Sequence, residues 1–476
     1  MIRIVFLVTG CIATIGSAAA PADDWPMWAG RADRNLVSPQ RGLPESWDVE
    51  AGTNVKWTAS VGTQTFGNPV IADGRVFIGT NNGNPREPDA TGDKGVLMCF
   101  AERDGSFLWQ AVHDKLPNPQ DNDWPDVGIT STPAVVGDRV YYVSNDGKLV
   151  CADVEGFHDN DNDGPFDSEP RTGRTAADIV WQLDMVNELG VVPLHASASP
   201  PLVVDGLVFV VTGNGANPTE GVVPAPKAPS FIAVDAKNGK VVWQDMSPGD
   251  RILAGQWSSP AYGVVDGKPM VVFPGGDAWL YAFEPRTGKL IWKFNGRANE
   301  TAEDGVYESI NQLVATPVIH KNRVYIAVGQ DPESGDGDGC LWSIDATKTG
   351  DISQTGQVWK RERRDFGRSI STVAIADGLL YAVELGGYLQ CINVDTGEQY
   401  WRHDLMASVW GSPVVADGKV YVINEDGTVH IFAHNKEKKL LAENEMNDAS
   451  HGTVAIANST LFIVAGKKLF ALNAKP

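Results

Sequence analysis

Short apolar runs separated by turn signals recur along most of the chain. In the clearest copy, residues 412–416 and 420–423 are two apolar runs joined by Asp417-Gly418, and residues 429–433 form a third run after a second turn. Asp-Gly between two such runs is typical of a tight β-hairpin. The β-branched and aromatic residues that fill the runs favour strands. The pattern therefore predicts a meander of short antiparallel strands.

A fourth strand carries the most specific signature, in which a small residue is followed by a turn and then by a Trp. This signature spans residues 233–243, 282–292, 99–109 and 391–401, the last two with Cys in the small position. Trp181 and Trp359 stand at the same place after insertions, and Leu441 is predicted to replace the Trp in the seventh copy. The turn Gly tolerates a tight backbone, and the Trp can bury a large surface between neighbouring sheets.

The whole pattern occurs eight times, and its arrangement predicts a closed ring. Seven copies have four strands, whereas the copy that begins at Thr453 has three. Residues 55–60 contain the missing outer strand, with Trp57 but no strands before it. Pairing of this strand with the last three leaves no unpaired edge. We therefore predict an all-β, eight-bladed β-propeller of four-stranded antiparallel blades over residues 55–476, closed by its N-terminal strand. Seven blades is the alternative count.

The first 54 residues precede the repeat and predict export. Arg3 is followed by the apolar residues 4–16 and the small-residue stretch 17–22, which is typical of a signal peptide and too short to span a bilayer. We expect residues 1–22 to be removed and residues 23–54 to form a lead segment. The alternative is a lipid anchor at Cys11, after Val8-Thr9-Gly10. The predicted location is the periplasm or cell envelope, with no transmembrane segment in the mature chain.

Charge and cysteine content narrow the possible partners. The net charge is −21, which argues against a nucleic-acid partner because such proteins need a positive surface. The four cysteines after Cys11 are far apart in sequence and form no CxxC or CxxCH motif. These cysteines, Cys99, Cys151, Cys340 and Cys391, indicate neither a disulfide scaffold nor a metal knuckle. We expect Cys99 and Cys391, which occupy the small position of the repeat, to be core residues, and the protein to be a monomer.

The meander order predicts which face of the ring carries function. The turns between strands 1 and 2 of every blade lie on one face. We call it the tight-turn face, because these turns are all short. The opposite face holds the strand 2–3 loops and the blade-to-blade loops, and loops of this length are commonly functional. We call it the long-loop face. Its long segments are residues 81–95, 111–130, 212–230, 294–314 and 330–339.

Residues just before each innermost strand are expected to ring the channel mouth on the long-loop face. Indole, imidazole, guanidinium and amide groups in such a ring could bind a planar acidic ligand by stacking and ion pairing. The alternative is a water-filled mouth with ordinary polar lining. The predicted ring consists of Phe66, Thr130, His195, Trp257, Asn311, Arg368, Trp410 and His451.

One acidic loop resembles a Ca²⁺-binding loop. Asp159, Asp161 and Asp163 alternate with Asn before Gly164, as at the start of an EF-hand loop, and Asp167 can contribute another oxygen. The match then fails, because the twelfth position is Pro170. A structural Ca²⁺ ion and a solvated acidic loop are both open interpretations.

The repeat resembles that of the pyrroloquinoline-quinone (PQQ) propeller family in its Ser/Thr-Pro strand, Asp-Gly turn and Ala-x-Asp-x-x-Thr-Gly-x-x-x-Trp strand. Residues 24–30, 255–260 and 273–277 resemble segments of exported bacterial members, particularly those of planctomycete type. Quinoprotein alcohol dehydrogenases of this fold carry adjacent cysteines and a catalytic Asp near Ca²⁺. This chain has no adjacent cysteines, and no Asp aligns with the catalytic one. The assembly lipoprotein BamB shares the design and binds a protein partner without a quinone.

The resemblance thus implies the fold and leaves the chemistry open. We expect a non-catalytic binding or scaffold module that holds a protein or glycan partner on the long-loop face. The alternative is an enzyme, a dehydrogenase dependent on PQQ and Ca²⁺ that uses the channel mouth. Its cofactor-binding residues would be Trp257, Arg368, Trp410, His195, His451 and Asn311.

Overall fold

The described part of the computed structural model comprises residues 24–88, 90–117, 119–217, 221–297, 312–330, 339–362 and 364–474. These residues form eight sheets, and each contains an antiparallel four-stranded blade, which confirms the eight-bladed β-propeller; one sheet has a fifth, parallel strand. The predicted signal peptide and Cys11 lie outside the described residues. The helices are short: α1 (Pro119–Asn122), α2 (Met185–Leu189) and three 3₁₀ turns at Trp28–Gly30, Gly156–His158 and Gly249–Arg251.

In each of the first four blades, the strands follow chain order from the inside of the ring outward. Blade 1 is β2 (Val70–Ala72), β3 (Arg75–Asn81), β4 (Gly95–Ala101) and β5 (Phe107–His113). Blade 2 is β6 (Ala134–Val136), β7 (Arg139–Val143), β8 (Lys148–Asp153) and β9 (Ile179–Asp184). Blade 3 is β10 (Leu202–Val204), β11 (Leu207–Val211), β12 (Phe231–Asp235) and β13 (Val241–Asp245). Blade 4 is β14 (Ala261–Val265), β15 (Lys268–Pro274), β16 (Trp279–Phe283) and β17 (Leu290–Asn295).

The remaining blades include one insertion and the closure of the ring. Blade 5 is β18 (Val318–His320), β19 (Arg323–Val328), β20 (Cys340–Asp345) and β22 (Gln357–Glu362), and the inserted β21 (Gly350–Asp351) pairs in parallel with β17. Blade 6 is β23 (Ala374–Ala376), β24 (Leu379–Val383), β25 (Tyr388–Asn393) and β26 (Gln399–Asp404). Blade 7 is β27 (Val414–Ala416), β28 (Lys419–Ile423), β29 (Thr428–Ala433) and β30 (Leu440–Glu445). Blade 8 is β31 (Ala455–Ala457), β32 (Thr460–Ala465), β33 (Lys468–Leu472) and β1 (Val55–Ser60).

Closure occurs where the sequence predicts it. Strand β1 pairs antiparallel with β33, and Trp57 lies opposite Ala471. In the other blades the Trp of the outer strand also lies opposite a small residue, for example Trp243 opposite Ala233 and Trp109 opposite Cys99. A small residue at this position leaves room for the indole ring. Cys99, Cys151, Cys340 and Cys391 are all buried and free.

The outer Trp fastens most blades to the next one. Its Nε1 donates a hydrogen bond to a backbone carbonyl of the following blade in six of the described blades. The turn glycine of the next blade lies beneath the indole: Gly239 has a φ of +72°, and a Cβ there would come within 2.6 Å of the Trp181 ring. The donor–acceptor pairs are Trp57–Glu102, Trp109–Val154, Trp181–Ala236, Trp243–Pro285, Trp359–Val394 and Trp401–Asn435.

Blade 7 departs from this pattern in a way that corrects one prediction. The register places Ala442, and not Leu441, at the Trp position, opposite Ile431. In this blade the larger residue of the pair, Ile431, is on the third strand and the smaller one, Ala442, is on the fourth, the reverse of the other blades. The exchange keeps the volume between the third and fourth strands filled. The turn between β29 and β30 (residues 434–439) is one residue longer than the corresponding turn of blade 3 (residues 236–240), which moves the Trp position from 441 to 442, whereas the bulge in the fourth strand is common to both blades.

The lead segment crosses the tight-turn face and closes the channel there. Its residues hydrogen-bond to the innermost strand, or to the residues beside it, in every blade. In blade order, these contacts join Trp25 to Ile71, Pro26 to Val135, Arg34 to Pro201, Ala32 to Tyr262, Asp33 to Ile319, Asn35 to Ile375, Leu36 to Val415 and Gln40 to Ser459. No helix in the described part of the chain has the length and apolar run that a membrane crossing needs.

Candidate functional site

The central channel contains a pocket of about 320 Å³ at its long-loop end. Its floor is Trp28 of the lead segment, whose Nε1 donates a 3.0 Å hydrogen bond to Thr316 Oγ1. Trp124 and Val127 reach over it from the loop between blades 1 and 2. The pocket therefore lies at the centre of the face on which the sequence predicts function.

Two rings of eight residues, one residue from each blade in each ring, form the wall. Members of the upper ring stand four residues before the first residue of the innermost strand, and members of the lower ring stand two residues before it. The upper ring is Phe66, Thr130, Ala198, Trp257, Val314, Ile370, Trp410 and His451. The lower ring is Asn68, Thr132, Pro200, Ser259, Thr316, Thr372, Ser412 and Thr453.

The structure brings together four of the six residues proposed as cofactor ligands. Trp257, Trp410 and His451 belong to the upper ring, and His195 lines the pocket from just upstream of Ala198. Arg368 does not line the pocket, because Ile370 holds the ring position of blade 6. Asn311 lies outside the described residues, and Val314 holds the ring position of blade 5. Sequence reasoning missed Trp28 and Trp124, which come from segments outside the repeat.

Aromatic side chains form two clusters in the wall. In one cluster, His195 stacks on Trp124 with a centroid distance of 4.3 Å and lies nearly parallel to Trp257, at 6.1 Å. In the other cluster, the ring of His451 lies 5.2 Å from that of Phe66 and 5.1 Å from that of Trp410. The second cluster belongs to blades 7, 8 and 1, and Trp257 belongs to blade 4. Because blades 4 and 8 are opposite in an eightfold ring, the two clusters face each other across the channel.

His195 holds an unusual backbone conformation at the pocket. Its φ is +62°, a left-handed value that costs energy for any residue except glycine. Two short hydrogen bonds hold it there: its N–H donates to Asp121 O, and its C=O accepts from Trp124 N–H, both at 2.7 Å. Trp257 Nε1 also donates to the carbonyl of Leu194, at 3.0 Å. The stack is therefore fixed through the main chain of residues 194–195.

The lower ring explains why Ser or Thr so often precedes the innermost strand. Along one arc of the ring, each member's backbone N–H donates to the side-chain oxygen of the member in the next blade. The polar atoms of this arc are thus used to join blades. The donor–acceptor pairs are Thr316–Thr372, Thr372–Ser412, Ser412–Thr453, Thr453–Asn68 and Asn68–Thr132, at 2.6–3.1 Å.

The described wall of the pocket carries no Asp, Glu, Lys or Arg. Its two imidazoles are the titratable groups, and burial lowers the pKa of His451, although Glu425 at 3.9 Å acts in the opposite direction. His451 is therefore neutral at pH 7. The wall combines aromatic faces, aliphatic side chains and hydroxyl groups.

The acidic loop 159–167 uses its carboxylates largely for local hydrogen bonds. Asp159 accepts from Asp161 N–H, and Asp167 from Ser168. The backbone N–H of Asp163 donates to Asp178 at 2.7 Å, and its carboxylate faces Arg139 at 3.5 Å. Within the described ranges, no three His, Cys, Asp or Glu side chains are grouped so that they could hold a metal ion. The Ca²⁺ ion stays a prediction for this loop.

The fold and the site together define the class of protein. It is an eight-bladed β-propeller whose central channel is capped at one end and holds a pocket at the other. A family model described as outer membrane protein assembly factor BamB matches residues 18–156, 173–362 and 336–476. The chain therefore belongs to this family of PQQ-like repeat propellers.

Relatives within the family carry different names. Tetrathionate hydrolase of Acidithiobacillus ferrooxidans is 26% identical, covering 51% of this chain and 48% of its own. Outer membrane protein assembly factor BamB of Legionella pneumophila is 25% identical over 50% of each chain. Lupanine 17-hydroxylase [cytochrome c] of a Pseudomonas species is 22% identical, covering 88% of this chain and 60% of its own. The chain spans about half the length of the first two relatives.

Solved structures show the same fold at low sequence identity. BamB from Moraxella catarrhalis superposes with a TM-score of 0.51 at 16% identity, over 87% of this chain and 97% of its own. Quinohemoprotein alcohol dehydrogenase from Comamonas testosteroni superposes with a TM-score of 0.64 at 12% identity, over 97% of this chain and 82% of its own. An outer membrane protein assembly factor and an alcohol dehydrogenase thus share this architecture, and function has to be argued from the site.

Proposed function

We propose that this protein is an exported, non-catalytic binding module that holds a partner protein on its long-loop face. The observation that carries the proposal is the uncharged aromatic pocket at the centre of that face. Binding energy at protein interfaces concentrates where aromatic side chains and well-packed pockets exclude water. Relatives named as outer membrane assembly factors support a binding role and a place in the cell envelope.

The pocket favours a protein partner over a glycan. A sugar presents many hydroxyl groups, and each needs a hydrogen-bond partner once it is buried. Most of the lower-ring oxygens already accept hydrogen bonds from the neighbouring blade, for example Thr372 Oγ1 from Thr316 N–H. The aromatic and aliphatic members of the upper ring instead offer contact to apolar side chains.

The alternative function, a dehydrogenase dependent on PQQ and Ca²⁺, has support from relatives such as lupanine 17-hydroxylase [cytochrome c]. The residues in the described wall do not fit that pair. PQQ is an acidic quinone that needs cationic or strong donor groups, and Ca²⁺ takes oxygen ligands that usually include carboxylates. Arg368, which the sequence suggested for this purpose, does not line the pocket. We therefore derive no redox step for this chain.

Site-specific photocrosslinking in the cells that produce the protein tests the proposal. Met406 is 83% exposed and lies between β26 and β27 on the long-loop face, whereas Val264 is 57% exposed beside a turn of the tight-turn face. We expect a photoreactive residue at 406 to give a discrete protein adduct, and the same residue at 264 to give none. Adducts of equal yield from both positions, or none from position 406, would contradict the proposal.

A further inference from the structure

The side-chain oxygens of the lower ring are largely used in hydrogen bonds between blades, whereas one hydroxyl group of the upper ring is not. Thr130 belongs to the upper ring, and its Oγ1 is buried without a hydrogen-bond partner among the described residues. A buried hydroxyl with no partner destabilises a protein, so a ligand that supplies one is favoured. Because a hydroxyl both donates and accepts, a largely apolar group with one polar atom, such as a single N–H or O–H, can satisfy it.

Charge selects against anions in the same place. The described wall offers no cation to pair with a carboxylate, because Arg34, which bonds to Ser259 Oγ, is fully buried and directs its other donors to backbone carbonyls. Taking an unpaired carboxylate out of water is strongly unfavourable. The net charge of −21 adds a repulsive field for any anion that approaches the mouth. An uncharged group avoids both costs.

Size and shape point to a flat ring. Cavities of roughly 150 Å³ accept a benzene ring, and this pocket, at about 320 Å³, has room for a bicyclic ring. The nearly parallel His195 and Trp257 rings present flat faces, and the Phe66–His451–Trp410 cluster lies on the opposite side. Aromatic rings gain from stacked and edge-on contacts of this kind beyond their buried area.

We propose that the central pocket takes one uncharged aromatic side chain of the partner protein and excludes anionic ligands, PQQ included. The proposal rests on the proposed function, because it names what the pocket receives from that partner. Tryptophan and tyrosine suit it best, since each joins a flat apolar ring to one hydrogen-bond donor.

Calorimetric titration of the purified full chain with indole and with indole-5-carboxylate tests the chemistry. The two probes share one ring system and differ by a single charge. We expect indole to bind, the carboxylate to bind at least about tenfold more weakly, and Trp257→Ala to abolish indole binding. PQQ with Ca²⁺ is expected to give no bound chromophore and no rise in Tm. Equal or tighter binding of the carboxylate, bound PQQ, or no binding of indole would overturn the proposal.

Two further variants guard against a trivial loss of folding. Ile370→Arg places a cation in the upper ring and is expected to reverse the preference, so that indole-5-carboxylate binds more tightly than indole. Arg364→Ala changes an exposed arginine that is not part of the pocket wall, and we expect it to leave both affinities unchanged. A preference that Ile370→Arg does not shift, in a variant with unchanged circular dichroism, would contradict the charge argument.

The two proposals fail in different ways. Indole binding without any adduct from position 406 would support the pocket chemistry and overturn the protein partner. An adduct from position 406 that persists after Trp257→Ala would support the binding face and overturn the pocket as the place where the partner is anchored.

Discussion

Among individual residues, Asp178 and Asp153 are buried carboxyl groups beside the insertion in blade 2, and the pKa of each is raised. Asp178 is 1% exposed, and its Oδ2 accepts the backbone N–H of Asp163. Burial raises the pKa of Asp178 to about 6, and the charges of Asp163 and Glu169 act in the same direction. Burial likewise raises the pKa of Asp153 to about 6, against the pull of Arg139 at 2.6 Å. Both carboxyl groups bind protons more readily in the folded protein than in the unfolded chain.

The contribution of these two carboxyl groups to stability is therefore expected to fall as the pH rises through the window between about 4 and 6. Below this window both states hold the proton, and above it the folded protein keeps a buried carboxylate that an unfolded chain would solvate. Asp178→Asn removes that charge and keeps an acceptor for Asp163 N–H. We expect its Tm to exceed that of the wild type at pH 7.5 and the difference to shrink at pH 4. Calorimetry in the presence of a chelator measures both values.

Asp167→Asn is the matched control for this experiment, because Asp167 is exposed and bonds to the neighbouring Ser168. Its Tm is expected to follow that of the wild type at both pH values. A wild-type Tm that rises between pH 4 and pH 6, with no gain in Asp178→Asn at pH 7.5, would contradict the prediction. Melting with and without Ca²⁺ tests the predicted ion in the same loop.

Part of the pocket could be predicted from sequence at the level of single residues. The sequence predicts Trp257, Trp410 and His451 in the wall because each stands two residues before the Ser or Thr that precedes an innermost strand. Arg368 was placed two residues too early, because blade 6 has Ser371-Thr372 without a proline to mark the register. Because of this error of two positions, the sequence predicts a wall with a cation, whereas the structure has Ile370 there and a neutral wall.

At the level of the strands, the outer Trp residues determine how blades adhere. The sequence predicted these residues as inter-blade contacts, because the signature places one Trp at a fixed distance from a turn. It could not predict their hydrogen bonds, since those depend on the turn of the following blade. Trp243 Nε1 donates to Pro285 O at 2.7 Å, whereas Trp292 Nε1 is buried without a partner among the described residues. In blade 5, which follows Trp292, the connection is lengthened by β21.

This difference between two otherwise similar tryptophans is measurable. Trp243→Phe and Trp292→Phe both lose ring volume, but only the first also loses a hydrogen bond. We expect Trp243→Phe to lower the free energy of unfolding by about 1 kcal/mol more than Trp292→Phe does. Urea denaturation followed by circular dichroism compares the two. Equal losses would show that the Trp243–Pro285 bond adds nothing to stability.

For the molecule as a whole, the lead segment joins the eight blades on one face. Arg34 is at its centre, fully buried, and donates to the carbonyls of Pro260, Trp28 and Pro201 and to Ser259 Oγ. Burial lowers its pKa to about 9, so the guanidinium stays charged at pH 7. Residues 24–54 carry no repeat pattern, so the sequence predicted that this segment exists but not where it docks.

Arg34→Ala is expected to lower the free energy of unfolding by about 3 kcal/mol or more, because it leaves several buried carbonyls without donors. Arg31→Ala is the control: Arg31 is half exposed and pairs with Asp33 at 2.8 Å, a surface pair worth roughly 0.5 kcal/mol. Thermal melting of both variants measures the contrast. Similar, small losses in the two would mean that the lead segment is a covering and contributes little to holding the ring together.

The pairing of β1 with β33 sets the order of events during folding. Residue 55 is synthesised long before residue 472, yet the register makes them neighbours. Non-local pairings of this kind form slowly. Until β33 is made, the row of amides and carbonyls along β1 has no partner and is open to pairing with another chain. The last blade is consequently the slow step of assembly, and its two edges are the places where a growing chain is most exposed to aggregation.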